Sequence, residues 1–82
     1  MRRDELLRLL RAQPFRPFRL KLSNGAVHEV RHPDMAMVMP STVHIGVPAA
    51  GSSAEAAEDI VIVSLVHVNE VEYLSPPAPT TA

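Results

Sequence analysis

The sequence predicts a mainly β domain: one N-terminal α-helix and then a strongly bent five-stranded antiparallel sheet that approaches a small open barrel. Three observations predict it. The longest nearly unbroken apolar run, Asp59 to Leu74 (DIVIVSLVHVNEVEYL), is dominated by Ile60, Val61, Ile62, Val63, Val66, Val68 and Val71, and β-branched residues favour strand over helix. Upstream of it the chain falls into short alternating segments separated by turn signals, and only the first few residues carry a helical period. Finally, 82 residues form one small domain, in which a sheet has to bend to enclose a core.

Residues 4 to 13 read as the helix. Leu6, Leu7, Leu9 and Leu10 fill one side of a helical wheel, with Arg8 and Arg11 opposite. Asp4 is placed to cap the first turn, and Pro14 ends the element. So short a helix is not stable alone, so its leucines are expected to lie on the sheet. Next comes a strand over about 18–23, where Phe18, Leu20 and Leu22 alternate with Arg19 and Lys21. Asn24-Gly25 predicts a type I′ hairpin turn, since both residues accept positive φ. The return strand covers 26–32, bends at His32-Pro33-Asp34 and extends through 35–39, with Met35, Met37 and Met39 on one face. Pro40-Ser41 turns the chain into a strand over 42–47. Pro48 to Glu58 is a loop, with a helical turn expected at AEAAE. The apolar run divides near Leu65 to His67 into two strands, 59–65 and 68–74. The domain is expected to span 1–75, and PPAPTTA, 76–82, to be a disordered proline-rich tail.

Composition narrows the function classes. There is no cysteine, which excludes disulfides and thiolate metal sites and leaves self-association as the expected extra source of stability. No apolar run approaches the ~20 residues of a membrane span, and the N-terminus lacks a signal-type apolar core, so the expected location is the cytoplasm. The net charge of −1 conceals an uneven distribution. All eight Lys and Arg lie in the first 31 positions with three acids, whereas the remainder holds six acids and no Lys or Arg. This division allows either a dipolar surface or halves that interleave and neutralise each other.

The order of elements, with LSNG (22–25) at the first turn, Asp34 after the bent strand and IVIVSLVHVNEV (60–71) at the end, resembles the Sm-like fold and specifically Hfq. The longer segment QPFRPFRLKLSNGAVHEVRHPD also resembles a set of small bacterial proteins of unknown function. The Sm-like resemblance implies a ring in which the fourth strand of one subunit, here about 60–64, pairs with the fifth of the next, here about 68–73. Ile60, Val61, Ile62, Val63, Val68 and Val71 are the expected interface. It also implies RNA contacts at the last strand junction, where His67 stands. Val66 replaces the lysine that precedes this histidine in Hfq, and Met35, Ala36 and Met37 stand where a stacking aromatic follows the acid.

The candidate RNA-binding residues are therefore His67 and Asn69 at the junction, with Arg8, Arg11, Arg16, Arg19 and Lys21 as phosphate contacts if the helix lies beside the first strand. The alternative for His67 is a structural hydrogen bond that holds the strand break. His28 and His32 suggest a metal site, but four residues along a strand separate them by about 13 Å, and no metal or cofactor is expected. Ser23, Ser41 and Ser64 belong to no Ser-His-Asp pattern, and the three glycines to no phosphate loop. The sequence is thus read as a non-enzymatic, homo-oligomeric binding or scaffolding module. An Hfq-like RNA binder is the first alternative, and a small metal-binding or enzymatic subunit the second.

Overall fold

A computed structural model describes residues 1–48 and 57–74. Helix α1 (Arg3–Arg11) is followed by β1 (Phe18–Leu22), β2 (Val27–Val30), β3 (Ala36–Val38), β4 (Thr42–Pro48), β5 (Ala57–Ser64) and β6 (Val68–Tyr73). Short 3₁₀ turns at Pro33–Met35 and Leu65–His67 separate β2 from β3 and β5 from β6. The fold is mainly β with one N-terminal helix, and all pairings are antiparallel.

The single five-stranded sheet is corrected to six strands in two three-stranded sheets, ordered β2-β1-β6 and β3-β4-β5. The physical reason lies at His32-Pro33-Asp34-Met35. Proline has no N–H for a ladder, and Met35 N–H turns back to the His32 carbonyl (3.0 Å). The bent second strand therefore becomes β2 in one sheet and β3 in the other. The chain crosses between the sheets there and again at Leu65–His67.

Between the sheets lies the core of Leu6, Phe18, Leu20, Val30, Val43, Ile45, Val63, Leu65 and Val68. Alternation explains the selection: Phe18 and Leu20 point inward from β1, Val43 and Ile45 from β4, with polar or small residues between them. Helix α1 contributes Leu6, fully buried, while Leu7, Leu9 and Leu10 are half-buried. Its start differs from expectation, for Asp4 lies inside the first turn. Glu5 instead reaches back to accept the Arg2 N–H (3.0 Å). It also ends earlier, because Ala12 is already extended.

The first hairpin is likewise corrected. Among the described residues Gly25 alone has positive φ (90°). Gly25 N–H donates to the Leu22 carbonyl and Leu22 N–H to the Ala26 carbonyl, both at 2.9 Å. This is a three-residue loop in which a turn is followed by a left-handed glycine, with Asn24 Oδ1 accepting the Ala26 N–H (2.9 Å). The three methionines do not share a face: Met35 is buried in the 3₁₀ turn, whereas Met37 and Met39 are exposed. Ala57 and Glu58 open β5 rather than a helical turn. The rest of that expected turn and the proline-rich tail fall outside the described residues.

Truncating Leu6 to Ala removes the helix's one fully buried anchor and is expected to cost about 2–5 kcal/mol, read as a lower denaturant midpoint at unchanged slope. Gly25→Ala forces a side chain into the left-handed region and is expected to cost about 1 kcal/mol by the same measurement.

Candidate functional site

A wide concavity follows from the two-sheet arrangement. Near the hairpin tip the sheets separate, leaving a groove of about 650 Å³ lined by Leu22, Ser23, Asn24, Ala26, His28, Val61, Ile62, Val63, Ser64 and His67. Leu22, Ala26, Val61 and Val63 make its apolar wall, and among the described residues no Asp, Glu, Lys or Arg borders it. Its β5 side is a strand that pairs only with β4, so alternate backbone N–H and C=O groups of β5 point away from the sheet without a ladder partner. β6 is the equivalent open strand of the other sheet, pairing only with β1.

His67 borders the groove, but the structure employs its backbone. Its carbonyl accepts from Ser23 N–H (2.9 Å) and Ser23 Oγ–H (3.0 Å), which ties the hairpin tip to the strand break. The imidazole is exposed and available to a ligand. Asn69 is not beside it; it is exposed on β6, bordering a separate hollow with Met1, Glu5, Val68, Glu70 and Val71.

The basic residues do not form one free surface. Arg19 sits between Glu29 (3.9 Å) and Glu72 (3.6 Å), and Lys21 lies 3.5 Å from Glu72. Register produces this: Arg19 stands opposite Glu29 on β2 and Glu72 on β6. Each pair is about one-third exposed or more, so each contributes at most about 1 kcal/mol. Their larger effect is to cancel the basic face of β1. The Arg16 guanidinium lies 3.7 Å from the centroid of the Tyr73 ring. Arg8 and Arg11 remain exposed on α1.

The proposed interface residues divide by face. Val63 and Val68 serve the subunit's own core, Val61 and Val71 are half-buried against it, and Ile60 and Ile62 project outward with 61% and 63% of their surface exposed. His28 is half-buried on the inner face of β2 beside the groove, while His32 is exposed beyond the strand end. Among the described residues no three metal-ligating side chains come together. No helix among them is long and apolar enough to cross a membrane.

The groove itself was missed in the sequence because its two walls are about 40 positions apart. The only signal was the small, polar Ser23-Asn24 opposite a β-branched strand.

Because Ser23 contacts the carbonyl and not the ring of His67, Ser23→Ala is expected to lower stability by about 0.5–1.5 kcal/mol. His67→Ala should stay within about 0.5 kcal/mol of the parent. Equilibrium denaturation of both variants checks this. Comparison with protein-family models, with curated proteins and with solved structures finds no match to this chain.

Proposed function

We propose that this chain is a non-enzymatic, cytoplasmic Sm-like module that assembles with copies of itself and presents the assembly as a binding or scaffolding surface. The observation that carries the reading is the pair of open strands. Among the described residues β5 and β6 each pair on one side only, as do β2 and β3, and the apolar groove runs along the free side of β5. An added strand satisfies the backbone of β5 and places alternate side chains in the groove. β6 of a second copy suits this role. Its Glu72 is already compensated from within by Arg19 and Lys21, which leaves Glu70 as the further charge that the strand brings on that face. The Sm-like reading draws on the strand order: β6-β1-β2 leads through the 3₁₀ turn into β3-β4-β5, which leaves β5 and β6 as the two outer strands of one bent path. Pairing of that kind is heterologous, generating a ring if it closes.

Ala26→Arg places a long charged side chain in the groove at a half-buried position. By light scattering behind size exclusion, the parent is expected to be oligomeric and Ala26→Arg to lose that mass at unchanged circular dichroism. A monomeric parent at high concentration contradicts the reading.

A second reading, an Hfq-like RNA binder, is favoured by the exposed Arg8 and Arg11 with Arg2 and Arg3 at the helix start. It predicts single-stranded RNA binding that weakens steeply with salt and is lost in Arg8→Glu/Arg11→Glu. No anisotropy change at low salt removes it. Among the described residues no cluster of three metal-ligating side chains favours the small-enzyme or metal-subunit reading.

A further inference from the structure

Strand β2 turns an ionisable side chain inward. His28 stands opposite Leu20, which is fully buried, and residues directly opposite in an antiparallel pair share a face. Its neighbours Val27 and Glu29 are exposed on the other face. Two residues on, the same inward position holds Val30, fully buried. His28 is only half-buried, because it stands at the mouth where the sheets separate. It borders the 650 Å³ groove on one side. On the other it borders a hollow of about 300 Å³ between β2 and β4, shared with Ile45, Gly46 and Val47. Among the described residues its imidazole has no hydrogen-bond or ion-pair partner.

The charges around it are turned elsewhere. Among the described residues His67 is the other titratable group that borders the groove, and its ring is exposed. Glu29 borders the second hollow, but Arg31 (2.9 Å) and Arg19 (3.9 Å) hold it. Arg19 and Lys21 of β1 stand on the outer face, opposite Glu29 and Val27. From β4 come Ile45 and Val47, from β5 Val61 and Val63, and none of them ionises. An incoming β6 carries Glu70 and Glu72 on its outer face, opposite Lys21 and Arg19, and Val68 and Val71 on its inner one. When β5 and β6 form one ladder, inner face continues inner face. Those two acids then lie on the side of Ile60 and Ile62, away from His28.

We infer that His28 gates the strand-edge assembly by its charge: copies associate with a neutral imidazole and separate as it gains a proton. The inference rests on the pairing of β5 with β6 of a second copy. A strand laid along β5 closes the groove over His28, and a cation enclosed there without a counter-charge is costly. In the separate chain the groove is open, so the protonated ring keeps its water. Protons therefore favour the separate chain, and assembly weakens as pH falls. Histidine is the side chain whose charge ordinarily changes between about pH 5 and 8, which sets the working range.

Sedimentation velocity at about pH 8 and about pH 5.5, over a wide concentration range, tests it in the parent, His28→Gln and His67→Gln. The dissociation constant of the parent is expected to rise about five- to tenfold at the lower pH. His28→Gln cannot gain the charge and is expected to keep the higher-pH value in both buffers. His67→Gln is expected to respond as the parent does, because that ring stays in water. Circular dichroism in both buffers checks that each variant is folded. An oligomer indifferent to pH overturns the inference and leaves strand-edge assembly standing. A response that survives in His28→Gln, or disappears in His67→Gln, does the same. Loss of assembly in folded His28→Gln at the higher pH also overturns it, since the ring then serves packing. A parent monomeric in both buffers removes gate and assembly together.

Discussion

The structure depends on a three-residue corner. At Leu65–His67 the chain leaves one sheet and enters the other, and the backbone there gathers three distant segments. Leu65 N–H donates to the Ser41 carbonyl (2.9 Å), the Leu65 carbonyl accepts from the Met1 ammonium (2.9 Å), and the His67 carbonyl accepts from Ser23. The β3–β4 turn, the start of the helix and the tip of the first hairpin are thereby fixed to one point. Each bond contributes on the order of 1 kcal/mol, and the side chain of Leu65 is buried in the core beneath them. Packing and hydrogen bonding therefore select the same geometry. With the corner in place, β5 and β6 must diverge, which opens the groove and leaves both strands free on one side.

Charge follows a second logic, one of register. The basic first third and the acidic remainder interleave because β6 returns beside β1, so Glu72 meets Arg19 and Lys21. Cancellation is local to that sheet. On the other sheet Asp34, before β3, and Glu58 and Asp59, at the start of β5, are exposed at one end of the strands.

Much of this was legible in the residues. The valine-rich run with a break at Leu65–His67, the inward alternation of Phe18, Leu20 and Leu22, and the helix ahead of Pro14 all rest on local period, which a single sequence displays directly. Departures arise where neighbours in space decide. Asn24-Gly25 suits a two-residue turn, but the register of β1 on β2 places Leu22 against Ala26 and needs three residues between the strands. His32-Pro33-Asp34 signals a bend without revealing that the bend separates two sheets. The basic face of β1 was visible, its acidic partners 10 and 53 positions away from Arg19 were not. His67 was identified as a junction residue, and the structure assigns the junction to its carbonyl, an atom every residue has. No side-chain pattern distinguishes that role.

Native-state hydrogen exchange at the Leu65 and Ser23 amides tests the central claim most directly. If the corner is the common tie of both sheets, these two amides exchange only through global unfolding, with the same free energy as the amides of β1 and β4. Exchange that is orders of magnitude faster, through local opening while β1 and β4 stay protected, contradicts it.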